Sequence, residues 1–162
     1  MNMNDEKLFL PFTLSISNTL SSMSSMLFSP EGDFYNNQGD LNSFGATVVV
    51  GFSGKTKGRF LIDLETCVAI ELAAKLNGES FNSIKDSMVI ATLSEVGNIT
   101  AGDAITAVNN EFSYGLRLVP PVVFMGDNMV VGLQNIESYT MNFKSEYGRL
   151  KINVAFEKGL MK

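Results

Sequence analysis

The sequence predicts an α+β fold: an antiparallel sheet with helices packed on one face and a long central helix that carries the site. Three observations carry this. Residues 83–109 repeat their apolar side chains at helical spacing. Residues 46–52 and 58–63 are largely apolar and bracket a Ser53-Gly54-Lys55 turn. Shorter alternating segments follow residue 109. Strands and helices are therefore segregated along the chain rather than strictly alternating, which separates α+β from α/β architecture.

In chain order, residues 1–11 read as a frayed lead-in ending at Pro11. Over 12–28, Phe12, Ile16, Leu20, Met23 and Leu27 recur at steps of four and three, giving an amphipathic helix with a Ser/Asn face. Residues 29–44 are rich in Gly, Asn and Asp and read as a loop. The 46–52 and 58–63 strands form a hairpin. Its Gly54-Lys55-Thr56 is not a phosphate-binding loop, because Val49 stands where that motif needs glycine. A second helix spans 64–76 and stops at Asn77-Gly78, with Cys67, Val68 and Leu72 on its inner face. Ser83-Ile84-Lys85-Asp86 is a capping-box variant that starts the central helix. Strands are expected over 114–119, 129–136, 139–144 and 150–156. No internal repeat is visible. An open sheet of this kind leaves edge strands, and pairing through one makes a dimer plausible.

The 162 residues suit a single domain over 1–162, and 45% hydrophobic content suffices for a core. The net charge of -5 and the lack of a basic stripe argue against nucleic acid and anionic membrane as partners. One cysteine suits a reducing compartment, and the acidic start does not resemble a signal peptide, so a cytoplasmic protein is expected. No apolar run reaches the roughly 18 residues of a membrane span. With no histidine, Ser-His and Cys-His nucleophile pairs are excluded within the chain. A zinc site lacks ligands too. Cys67 reads as an inert core thiol.

On the central helix Val89, Ile90, Leu93, Val96, Gly97, Ala101, Ala104 and Val108 gather on a core face. Glu95 and Asn98, three apart, share the opposite side. Ala91 and Gly102 flank them, with Met88 and Ile99 close by. The bland account is a solvated carboxylate and amide. Against it stand a poor mid-helix residue in Asn98, low neighbours, and apolar surface where water is expected. Such a ridge suits docking by a partner. An amide that donates and accepts can hold a water, and a carboxylate can pair with a cation. Asp103, further along, reads as a surface group outside the site.

These residues resemble the CheC/CheX/FliY chemotaxis phosphatases, CheX most closely. The family motif is Glu-x-x-Asn on a long helix with a proline twenty-three positions later, and Glu95, Asn98 and Pro121 fit it. The 51–58 hairpin, Asn98-Ile99-Thr100-Ala101-Gly102 and the 145–154 hairpin are similar to family segments. One departure is Ala91, where the family usually has Asp or Ser. The resemblance implies a phosphatase that removes the aspartyl phosphate of a CheY-type response regulator. Glu95 and Asn98 are then catalytic, and Met88, Ala91, Ile99 and Gly102 form the docking surround. It also implies no cofactor on this chain, Mg²⁺ carried by the regulator, and a homodimer joined through strands. Some members carry two sites. The first helix here offers Ser15 and Asn18 without a glutamate, so one site is expected. The alternative is a non-catalytic receiver-binding or scaffold module.

Overall fold

The computed structural model describes residues 3–133 and 136–157, with only the backbone of residue 4. Helix α1 runs Met3–Ser24 with Pro11 inside it. Within the described residues, the expected frayed lead-in is therefore helical. An interior proline loses a backbone hydrogen bond and costs about 3 kcal/mol. Burial on both sides of Pro11 offsets this, since Leu8, Phe9, Phe12, Ile16 and Leu20 are all buried. The Phe9 ring lies 4.7 Å from Tyr139 and Phe12 lies 5.0 Å from Phe60. The helix stops at Ser24, before Ser25 at φ 58, so Leu27 is exposed rather than on the apolar stripe.

The expected loop over 29–44 contains two strands, β1 (Ser29–Asn37) and β2 (Leu41–Asn42). β1 is a sheet edge whose register shifts between Glu31 and Tyr35, around Gly32 at φ 78. An irregular edge tolerates turn-forming polar residues that a central strand rejects. β3 (Gly45–Ser53) and β4 (Lys57–Glu65) form the expected hairpin. Its turn packs tightly at Gly54, where an added Cβ would stand 2.6 Å from the Gly115 carbonyl oxygen.

α2 (Thr66–Asn77) ends on Gly78 in the left-handed region, φ 67. Val68, Ala69, Leu72 and Ala73 are its buried residues. Cys67 is exposed, contrary to expectation, and its thiol donates to the Tyr147 carbonyl at 3.2 Å. Cys67 precedes the helix's buried pair Val68 and Ala69, one step of about 100° off the inner face.

α3 (Ser87–Phe112) starts three residues later than the capping-box pattern suggested, its cap being Asp86 rather than Ser83. The Asp86 side chain accepts from the Met88 N–H at 2.8 Å. Ser83 instead accepts from Lys85 N within the preceding turn. After Ser113 come β5 (Arg117–Leu118), β6 (Val122–Met125), β7 (Val130–Val131), β8 (Ser138–Ser145) and β9 (Gly148–Phe156). The 114–119 strand shrinks because the Asn109 amide grips Leu116, accepting from its N–H at 2.7 Å and donating to its carbonyl at 3.0 Å. β6 was not anticipated. Of the 129–136 strand only Val130–Val131 forms, and residues 134–135 lie outside the described residues.

The main sheet runs β1-β8-β9-β4-β3-β5, with β6 also on β3, and every pairing is antiparallel. β2 and β7 form a separate two-stranded ribbon. Alternate residues Val48, Val50, Phe60, Ile62, Ile152 and Val154 face the helices in one core. Leu41 and Leu133 cover Leu61 on the other face. Buried Asp63 on that face accepts from Ser43 Oγ, Thr47 Oγ1 and Phe44 N, each at 2.7 Å, and meets Lys151 Nζ at 3.4 Å. Burial pushes the Lys151 ammonium below its usual pKa, opposed by Asp63.

The element order contains a repeat that the sequence conceals. Helix, edge strand, short strand and hairpin occur as α1-β1-β2-β3-β4 and again as α3-β5/β6-β7-β8-β9. The pairings are symmetric between the halves: β1 pairs with β8 as β6 pairs with β3, while β2 pairs with its own counterpart β7 and β4 with its own counterpart β9. The halves share burial pattern rather than residue identity.

Candidate functional site

Helix α3 lies on the sheet through small residues. An added Cβ at Gly97 would stand 2.6 Å from Val48 Cγ1, so only glycine permits this approach. Ala101 and Ala104 are fully buried on the same side. All of the predicted core face is buried except Ile90, which is partly covered, and Thr92, Thr100 and Ile105 join it. The two threonines are tolerated there because each hydroxyl bonds a carbonyl one turn back, Met88 and Val96, at 2.7 Å.

Neighbours fix the helix in place. The Ser15 hydroxyl on α1 donates to the Thr100 carbonyl at 2.7 Å. The Asn77 amide at the end of α2 donates to Thr92 Oγ1 at 2.8 Å. The backbone of the hairpin turn binds the segment after α3, Lys55 N–H to the Tyr114 carbonyl at 2.9 Å. α3 is therefore held from three sides, leaving one face outward.

That face carries the predicted pair. Glu95 and Asn98 are both exposed, and among the described residues no hydrogen bond or ion pair occupies either side chain. Ala91 is exposed, Met88 is 45% exposed, and Ile99 and Gly102 are half-buried. An added Cβ at Gly102 would make only ordinary contact with Leu118, at 3.8 Å. Packing thus permits a side chain there, and glycine instead keeps the ridge low. Pro121 is not on the ridge. It sits half-buried between β5 and β6, on the sheet edge against which α3 packs. Lacking an N–H, it interrupts the ladder to β3 between the Val119 N–H, given to Gly51, and Val122, opposite Val49.

Among the described residues no three His, Cys, Asp or Glu side chains cluster as metal ligands. No described helix is long and apolar enough to cross a membrane. One feature that sequence reasoning missed borders the ridge. Leu10 and Leu14 on α1 are exposed beside a groove whose far wall includes Asp103. Their signal was legible: four apart, both fall off the buried stripe of Phe9, Phe12, Ile16 and Leu20.

Glu95 and Asn98 thus stand exposed on a low ridge of a helix that its neighbours hold in place. The comparisons give the class of protein. The model of the chemotaxis phosphatase CheX family matches residues 46–144, and the chain belongs to that family. A CheC-like superfamily protein from Shewanella sp. PV-4 superposes with a TM-score of 0.85 at 28% identity, over 97% of this chain and 99% of that one. CheX from Vibrio vulnificus shares the fold at 23% identity and TM-score 0.83, over 93% and 99% of the two chains. A CheX–CheY–BeF3–Mg²⁺ complex from Borrelia burgdorferi matches at 26% identity and TM-score 0.77, over 93% of this chain and 98% of that one. No curated protein matches the chain in sequence.

Proposed function

We propose that this chain hydrolyses the aspartyl phosphate of a CheY-type response regulator, with Asn98 aiming the water and Glu95 holding the regulator. The observation that carries this is the free, exposed Glu95–Asn98 pair on the rigid ridge of α3. The Asn98 amide accepts one hydrogen bond from water through Oδ1 and donates one through Nδ2. That fixes a lone pair towards phosphorus. The water oxygen bonds to phosphorus as the acyl P–O bond breaks in line, the aspartate leaves as carboxylate with the bonding pair, and both water protons stay with the phosphoryl group, which departs as dihydrogen phosphate. Positioning is the main task in such a transfer, because the protein forms no covalent bond itself. Glu95, one turn away, pairs with a lysine of the regulator and so orients the two proteins.

The Mg²⁺ belongs to the regulator, in keeping with the Borrelia complex, which contains CheY, BeF3 and Mg²⁺. Cytoplasmic location follows from a regulator as substrate. A homodimer is part of the same reading. Exposed Val119, Val122 and Phe124 along the β5–β6 edge support an apolar contact there, and sedimentation of the purified chain tests it.

Ala91 favours a second reading, a receiver-binding module without turnover. It is exposed on the ridge four residues before Glu95, where the resembled family usually has a polar group. Adding the purified chain to a phosphorylated regulator and following phosphate release decides between them. Faster decay supports the phosphatase. Binding at the regulator's own decay rate supports the module.

A further inference from the structure

We infer that the groove between α1 and α3 is the seat in which this chain holds the receiver domain, with Leu10 and Leu14 as apolar anchors and Asp103 as a charged contact. This rests on the reading that α3 engages a receiver. The groove has a volume of about 470 Å³, with Leu10 and Leu14 on α1 facing Asp103 and Ala107 on α3. Its far end is closed by the Lys7–Glu111 ion pair at 3.6 Å. α1 and α3 are antiparallel here, since Ser15 meets Thr100 while Lys7 meets Glu111.

Three observations make it a seat. Leu10 and Leu14 are 46% and 53% exposed, one turn apart, and nothing described covers them. Two leucines one turn apart and open to water make a contiguous apolar patch, the kind of surface a partner covers. Asp103 is exposed and forms no ion pair among the described residues, although Glu111 on the same wall does. The groove is also continuous with the ridge. Asp103 on its wall follows Ile99 by four residues, as Ile99 follows Glu95, so the three lie along one row of α3.

A partner burying about 800 Å² on this chain covers a disc roughly 16 Å in radius. Neighbouring helix axes lie about 8–10 Å apart. A receiver centred on Glu95 and Asn98 therefore reaches across the groove. The matching receiver surface presents apolar side chains with a lysine or arginine beside them, facing the leucines and Asp103. Asn98 acts on the phosphate, whereas the groove supplies affinity, so the two separate in kinetics.

The test uses the CheY-type regulator that the wild-type chain dephosphorylates. Leu14→Glu raises KM about tenfold, the effect of losing one well-placed apolar anchor, with kcat within about twofold. Leu14→Gln reports the same loss without added charge, and thermal melts of both show an unchanged fold. Asp103→Asn raises KM about threefold at low salt and less at high salt, where exposed charge pairs are screened. Unchanged KM in Leu14→Glu overturns the inference, as does a change confined to the sedimentation of the isolated chain, which assigns the groove to a second copy. The two readings fail separately. Asn98→Ala slow and Leu14→Glu normal removes the seat and keeps the phosphatase. Asn98→Ala normal removes the amide mechanism, while a raised KM in Leu14→Glu still supports the seat.

Discussion

The two halves of the molecule offer the same pair of positions and differ at the first of them, for Asn18 is exposed as Asn98 is. On α1, Ser15 and Asn18 stand three apart, as Glu95 and Asn98 do on α3. Ser15 is 7% exposed and spends its hydroxyl on the Thr100 carbonyl. Glu95 is exposed and engages nothing described. The inward faces differ too. α1 buries the large side chains Phe9, Phe12, Ile16 and Leu20, whereas α3 lies on the sheet through Gly97, Ala101 and Ala104. Spacing alone therefore does not make a site. The α3 pair is left unpaired on a helix anchored elsewhere, whereas the α1 pair has given its first member to such an anchor. In this chain α1 serves as one of those anchors.

Several substitutions break or sharpen the contrast. The largest effect falls on the two asparagines. Asn98→Ala lowers kcat on the phosphorylated regulator about 10²-fold, the scale for losing a positioned polar group, while Asn18→Ala keeps kcat within about twofold. Equal effects would make the halves equivalent. Next is Gly97→Val, which drives a side chain into Val48 and costs about 2 kcal/mol of stability in a denaturant melt. A neutral result means α3 does not rest on the sheet as described. Ser15→Ala removes the α1–α3 hydrogen bond and costs about 1 kcal/mol, read from the same melt. Smallest is Cys67→Ser, within about 0.5 kcal/mol because the position is exposed. A loss several times larger would restore the core role that its sequence context suggested.

The sequence disclosed the parts where local pattern and tertiary packing agree. The β3–β4 hairpin reads as two apolar runs around a Ser53-Gly54-Lys55 turn, and α3 pairs a continuous apolar face with a polar one, so hairpin, helix and ridge were all readable. Legibility failed where tertiary packing overrules local preference. Pro11 is a helix breaker by itself, yet the aromatic contacts of Phe9 and Phe12 carry α1 through it. The Gly/Asn/Asp composition of 29–44 signals a loop, but β8 recruits it as an edge strand. β6 follows Pro120-Pro121 and is too short to announce itself, being only Val122–Met125. The repeat was hidden because strand pairing, rather than identity, relates the halves. The ridge was found from its polar pair, while the groove beside it requires two helices to be placed together, which no single-helix pattern can do.

The most direct measurement is single-turnover decay of the phosphorylated regulator with Asn98→Ala in saturating excess, with binding to the beryllofluoride-activated regulator measured on the same preparation. The account predicts that the variant binds as the wild type does, yet the phosphate decays about 10²-fold more slowly than with wild type or at the regulator's own rate. Decay as fast as with wild type, under proven binding, contradicts it.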